Sequence, residues 1–382
     1  MPIVTIDMET HYSSDYSLSK LREADYLLDP RFEVICCAVK QDHAPTQAYV
    51  GQAEVARALG RIDWPRTCVL AHNVRFDGSI LAWRFGHVPA MYLDTLSMAR
   101  ALTHATVGRS SLAAVASYLG LGQKGDAVVH ALGKRLADFS PNDLAAYVQY
   151  CINDTDLCRA IFDRFVPRFP KSELRLVDLV ARMYVHPQAR LCAPRLRAHR
   201  SVVRVEKAGV MARVAHIDKA VFSSSIKFAA LLGKHGVEVP TKVSPATGLV
   251  IPALAKGDRA FKELCDDPGQ TLEVQALLAA RVGSKSTIEE TRTDAVLALA
   301  LRPWPPAVGG GDQALLPVPL KFFGAHTGRL SGDGGYNFQN LQRGSAIKRA
   351  IHAPPGMRIV HHDASQIEAR MVAWLAGCRT LL

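Results

Sequence analysis

The chain has 382 residues, 48% of them apolar and 21% charged, so at about 150 residues per domain it carries two or three domains with sizeable cores and is not a disordered or fibrous polymer. Its net charge of +11 is unevenly divided: residues 1–170 sum to −1 and residues 171–382 to +12. A surplus of that size suggests a polyanionic partner for the second part, although a solvated basic face gives the same count. No apolar run approaches the ~20 residues that span a bilayer, and the N-terminus lacks the basic-then-apolar layout of a secretory leader. The eight cysteines are scattered, with no C-x-x-C, which argues against zinc knuckles and a disulfide framework and fits a reducing cytosol.

The opening run Pro2 to Asp7 is β-branched and ends on an acid, which predicts a strand. Further strands are predicted at Phe32 to Val39 and Thr67 to His72, with helices over 73–86, 110–119 and 141–166; strands interleaved with helices make this part α/β. Pro167 and Pro170 close it. From Lys171 to Leu301 nearly every segment predicts helix, broken at Gly233, Gly236 and the turn from Ser244 to Gly248. The stretch from Leu301 to Gly311 combines proline with three consecutive glycines and reads as a linker. Gly/Asn-rich loops follow over 324–344, then a strand-like run Arg358 to His362 and a helix from Gln366.

Three places in the first part gather carboxylates. Asp7 and Glu9 stand at i and i+2, so on a strand both project from one face, though a strand end meeting solvent also yields such a pair. Asp77 falls in the first turn of a helix, where an acid also suits the helix dipole. On the helix that Ser140, Pro141 and Asp143 start, Tyr147, Tyr150, Asp154, Cys158 and Ile161 share one face. An acid on an apolar face is costly unless paired or bound to metal, so Asp154 asks for a partner. Together Asp7, Glu9, Asp77 and Asp154 have the oxygen chemistry that Mg²⁺ prefers, and two such ions about 4 Å apart serve in-line phosphoryl displacement.

D-x-E on the first strand, N-x-x-F-D at a strand–helix junction and Y-x-x-x-D on a late helix together resemble the DnaQ-like 3′–5′ exonucleases with tyrosine in the third motif, over roughly residues 1–165. The resemblance implies a ribonuclease H-like α/β fold and a catalytic set of Asp7, Glu9, Asp77, Tyr150 and Asp154. Two divalent cations, Mg²⁺ or Mn²⁺, would sit on the four carboxylates, with Tyr150 orienting the attacking water. His72 and Asn73 receive no chemical role, and Asp94-Thr95 looks like a recurring feature of that family, though a capped turn explains it equally well.

Thr327-Gly328-Arg329-Leu330-Ser331, then Gln339-Asn340-Leu341-Gln342, then Asp363-Ala364-Ser365-Gln366-Ile367-Glu368-Ala369-Arg370 closely resemble family A DNA polymerases, particularly bacteriophage-type ones. By that resemblance Asp363 ligates the polymerase metals with help from the Ala364 carbonyl, Glu368 excludes a ribose 2′-hydroxyl, and Gln366 belongs to the same motif. Arg329, with Gln339 and Asn340, would contact DNA near the primer terminus. Gly283 to Thr287 resembles a thumb turn whose Lys285 meets phosphate; a polar turn between helices reads the same way.

The implied organisation is an exonuclease domain over 1–170, a mainly helical thumb over 171–301, a linker over 302–319 and a truncated α+β palm over 320–382. The expected partners are primer–template DNA and single-stranded 3′ ends, and deoxynucleotides only if fingers and the remaining palm are supplied, since no segment resembling them follows the first palm motif. The expected place is the cytoplasm of a bacterial or phage-infected cell. Two alternatives stand beside a proofreading polymerase fragment: a free-standing 3′–5′ exonuclease on DNA or RNA ends, and a non-catalytic DNA-binding subunit of a split polymerase.

Overall fold

The computed structural model describes residues 1–123, 131–244, 247–255, 257–267, 269–285, 288–306, 309, 314–335, 337–341, 343–378 and 380, and of residues 284, 285 and 288 the backbone only. The β-branched opening forms β1 (Ile3–Thr10), the middle strand of a five-stranded mixed sheet. On one side β1 pairs antiparallel with β2 (Val34–Gln41), which pairs antiparallel with β3 (Gln47–Val50). On the other side β4 (Cys68–Ala71) and β5 (Met91–Asp94) run parallel to β1, giving the order β3-β2-β1-β4-β5. The first six residues of β2 are all buried, as expected of a strand covered on both faces. Pairing of β1 with β2 slips between Glu9 and Thr10. Such an irregularity re-aims side chains at the end of a strand.

The helix Pro141–Phe165 crosses β1 and β2 with its predicted apolar face inward, and Ser140 Oγ caps it by accepting from the Asp143 N–H at 3.2 Å. Helices Val74–Trp83 and Lys171–Val185 pack on one another beside β5. One apolar cluster runs from Ile6 and Trp83 through Tyr184 to Val296, Trp304 and Ile347. Beyond it, Ala193–Ala212, Leu272–Lys285 and Ile288–Ala300 pack together, and a separate core forms around Phe222, Phe228, Leu232, Phe261 and Leu277.

Two expectations change here. The break at Ser244–Gly248 lies within an antiparallel pair of short strands, Thr241–Val243 and Val250–Pro252, whose β-branched residues pair across the turn; Pro245 and Ala246 of the turn lie outside the described residues. The run Arg358 to His362 is not a strand: it has no regular structure, and Val360 is 86% exposed. A strand needs a neighbour for its backbone N–H and C=O groups, and no described strand lies beside it. The last helix begins as expected, at Ile367–Leu375, with Gln366 before it at φ +49°. No helix among the described residues is long and apolar enough to cross a membrane.

Candidate metal centre

The strand–helix packing brings three of the four expected carboxylates together. One oxygen each from Asp7, Glu9 and Asp154 lie within 4.8 Å of one another, with Asp154 buried and the other two half-buried. Asp7 and Glu9 share a face of β1, as their spacing predicted, and Asp154 reaches them from the helix laid across that strand. An octahedral Mg²⁺ with ligands at about 2.1 Å sets its oxygens about 3 Å apart when adjacent and about 4.2 Å when opposite. The three oxygens therefore lie close enough together for a hard divalent cation to draw them into its coordination shell.

Asp77 stands beside this group and is not a member of it. It is 4% exposed, and its Oδ1 accepts the Met8 N–H at 3.1 Å, which fixes the backbone between Asp7 and Glu9. Burial pushes its carboxyl up to about 8; the negative charges of Glu9 and Glu23 add to this, and hydrogen bonds from the Met8 and Asp77 backbone oppose it. A divalent cation close by acts in the opposite direction and favours the carboxylate.

Tyr147, which the sequence shows only as a member of the helix face, donates its hydroxyl to Glu9 Oε2 at 2.7 Å. Burial pushes this phenol well up, with the Glu9 charge adding, so it keeps its proton and orients the carboxylate. Tyr150 is buried one turn away, its ring stacked on that of Tyr147 at 6.2 Å and 9°. Cys151 Sγ donates to the Asp7 carbonyl at 3.3 Å. The signal for Tyr147 was its place on the Asp154 face, but face membership does not tell which hydroxyl reaches across to the strand.

The junction that carries Asp77 is explained by geometry. Asn73 adopts φ +81°, a left-handed conformation that asparagine tolerates better than most side chains. Its N–H and that of Val74 donate to Asp94 Oδ1 at 2.8 and 3.2 Å. Asp94 also caps Thr95–Leu102 by accepting from Leu96 and Ser97, so Asp94-Thr95 is a cap joining two helix starts. Gly78 is required by close approach: a Cβ there would lie 2.7 Å from the Tyr92 ring. His72 bonds to Thr95 Oγ1 at 2.9 Å and to the Ser110 carbonyl at 3.0 Å, a structural role.

Arg75, also unremarked in the sequence, donates to Glu23 Oε2 at 3.0 Å and to Asp333 Oδ2 at 2.6 Å, linking the first part of the chain to the loop after Thr327-Gly328-Arg329. The residues expected at a polymerase site are not gathered. Asp363, Gln366 and Glu368 are exposed, and Asp363 belongs to no carboxylate cluster among the described residues. Glu368 pairs with Arg329. Gln339 donates to the Leu330 carbonyl at 3.3 Å, and Asn340 is exposed beside it in the short turn Phe338–Asn340. Lys285 ends its helix, and Ser286, Thr287 and Gln342 lie outside the described residues.

Neither a protein-family model nor a curated protein matches this chain in sequence. In structure the chain is similar to the POL domain of Pol1 from M. smegmatis, solved in complex with DNA primer-template and dNTP, at a TM-score of 0.59 and 16% identity. The likeness covers 98% of this chain and 59% of that one, so the chain spans about three-fifths of its neighbour's length. At that identity the comparison shows a polymerase-like fold.

Proposed function

We propose that the chain is a metal-dependent 3′–5′ exonuclease joined to the thumb and the beginning of the palm of a family A-type DNA polymerase. The observation that carries this reading is the carboxylate group of Asp7, Glu9 and Asp154, braced by Tyr147 and adjoined by Asp77. The order β3-β2-β1-β4-β5 supports a ribonuclease H-like assignment of residues 1–170, and the likeness to the M. smegmatis domain supports the polymerase context. The division into 1–170, 171–301, 302–319 and 320–382 belongs to this proposal.

Asp7, Glu9 and Asp154 would hold Mg²⁺ or Mn²⁺, with Asp77 adjoining. Bound there, the cations supply charge stabilisation at phosphorus and lower the pKa of the attacking water. The protein's own work is orientation. Tyr147 fixes one Glu9 oxygen, Asp77 fixes the backbone between the two strand ligands, and Tyr150 is assigned the attacking water. A water oxygen bonds to the terminal phosphorus, the P–O3′ bond breaks, and the strand keeps a 3′-hydroxyl while a 5′-monophosphate leaves.

Asp363, Gln366 and Glu368 are proposed as the palm motif, with Arg329, Gln339, Asn340 and Lys285 as DNA contacts. With Asp363 exposed and outside any described carboxylate cluster, template-directed extension is not expected of this chain alone. The test is digestion of a 3′-labelled oligodeoxynucleotide in Mg²⁺, beside an RNA strand of the same sequence. Asp7→Ala with Glu9→Ala should abolish release of 5′-monophosphates. Digestion by the double variant at the wild-type rate refutes the site.

A further inference from the structure

Asp333 lies in the segment assigned to the palm, yet its carboxylate reaches into the first part of the chain. Its Oδ2 accepts from Arg75 Nη1 at 2.6 Å, while Nε and Nη2 of the same guanidinium donate to Glu23 Oε2 at 3.1 and 3.0 Å. The side chains of Glu23, Arg75 and Asp333 are only 9%, 18% and 19% exposed. Burial alone would push the Asp333 carboxyl up, and the charge and hydrogen bond of Arg75 hold it below its usual range. The guanidinium carbon lies over the Tyr184 ring at 5.1 Å. A planar group gripped at both ends and backed by a ring keeps one orientation.

The Asp333 end of this clamp is itself anchored. Leu320–Lys321 pairs antiparallel with Ser331–Gly332, and the Asp333 N–H that follows donates to the Pro319 carbonyl at 3.2 Å. Gly324 packs so tightly on Ser331 that no Cβ fits there. Phe322 inserts into the cluster of Leu70, Phe162 and Phe165, its ring 6.1 Å from that of Phe169. The Arg75 end is the second residue of Val74–Trp83, two before Asp77. Residues two apart on a helix point to different sides. The first turn is therefore held toward the sheet by Asp77, which accepts the Met8 N–H, and on another side by Arg75.

We propose that Asp333 is a positioning residue of the carboxylate centre: through Arg75 it fixes the first turn of Val74–Trp83, and with it the seat of Asp77 beside Asp7 and Glu9. The effect on rate rests on the exonuclease reading, whereas the effect on the backbone rests on the geometry alone. Hydrolysis then depends on a loop residue four positions after Arg329, well outside residues 1–170. A pair that served stability alone would let go of Arg75 without moving Asp77.

Asp333→Asn keeps the size of the side chain and removes the charge that draws Arg75. In the full chain, hydrogen exchange at Met8 and at Asn73 to Asp77 is followed in EDTA, and hydrolysis of a 3′-labelled oligodeoxynucleotide is followed in single turnover at saturating strand and Mg²⁺. Asp333→Asn should speed exchange at these amides by about 10-fold, the ratio that a hydrogen bond to a charged group contributes, and leave Val34–Gln41 unchanged. It should slow hydrolysis by about 10-fold, short of the ~100-fold that a misplacement of about one ångström costs. Asp333→Glu should restore most of both. In a background of Arg75→Gln with Glu23→Gln, which neutralises the buried pair, Asp333→Asn should change either reading by less than about 2-fold. Unchanged exchange at Met8 in Asp333→Asn overturns the proposal. So does a slowing as large in that background as in the wild type, since Asp333 would then act by a route other than Arg75. Exchange that responds as expected in a protein without hydrolysis would uphold the hold on Asp77 and refute the exonuclease reading.

Discussion

Replacing Asp154 by asparagine should stabilise the metal-free protein and abolish its response to magnesium. Oxygens of Asp7, Glu9 and Asp154 lie within 4.8 Å of one another. At that separation two unit charges repel by about 3.5 kcal/mol at an effective dielectric of about 20, and Asp154 takes part in two such pairs. The relief is capped, because a carboxylate escapes repulsion by taking a proton at about 1.4 kcal/mol per unit between its ordinary pKa and the pH, about 4 kcal/mol at pH 7. Asparagine keeps the volume, and its amide N–H groups donate to the two carboxylates that remain. In EDTA the variant should gain about 2–4 kcal/mol in the transition that unfolds the sheet, raising its melting temperature by several degrees. Adding Mg²⁺ to a hundred times its dissociation constant should then stabilise the wild type by about 2.7 kcal/mol and the variant far less, with exonuclease activity lost throughout. Melting by circular dichroism in EDTA and in Mg²⁺ reads both effects. A variant less stable than wild type in EDTA, or one gaining as much from Mg²⁺, refutes the assignment of these three carboxylates to one ion.

Tyr147→Phe removes the hydrogen bond that orients Glu9 and should slow single-turnover digestion by about 10- to 100-fold with the fold intact, since a bond to a charged acceptor contributes about 1.5–3 kcal/mol; an unchanged rate would reduce Tyr147 to packing. Arg75→Ala strands the mostly buried Glu23 and leaves Asp333 with Lys321 as its remaining cation, and should cost about 3–5 kcal/mol in urea denaturation, partly recovered by adding Glu23→Gln. A loss below about 1 kcal/mol would show the bridge to be incidental. His186 gives a pH dependence: burial holds it down to about 4, with the Arg182 charge adding, and its Nε2 bonds the Tyr92 hydroxyl at 2.6 Å. Because the folded pKa lies below the unfolded value, this contribution is complete above pH ~6.5 and is lost as the pH falls toward 4, by about 3 kcal/mol in all. Wild type should therefore lose more stability between pH 7 and 5 than His186→Gln, and equal losses would refute the linkage.

The first part of the fold was legible because its signals are local. The β-branched run at Ile3, the apolar run of β2, and the cap at Ser140 each specify an element without knowledge of the rest. Asp7, Glu9 and Asp154 were legible because an i, i+2 pair on a strand and an acid on an apolar helix face each announce one unmet need. What remained hidden depends on distance across the chain. Tyr147 and Tyr150 occupy the same face, and only the seating of the helix on β1 decides which hydroxyl meets Glu9. Arg75 reaches a carboxylate 258 positions away, which no spacing rule encodes. The run at Ile359 and Val360 shows the converse: propensity asks for a strand, and without a described neighbour to pair with it, none forms.

The basic surplus beyond residue 170 also takes a different meaning in three dimensions. On Ala193–Ala212 the cations are largely matched within the protein: Arg200 and Arg204 pair with Asp294, and Arg204 and Lys207 with Glu290. A charge already paired at 2.8–3.2 Å releases fewer counterions on meeting a phosphate, because its own partner must be displaced or stay nearby. Sequence counting weights all these residues equally, whereas binding weights those that lack an internal carboxylate. The net charge of a segment thus locates its composition, and the field a nucleic acid meets is set by which of those charges the fold has left to be shared.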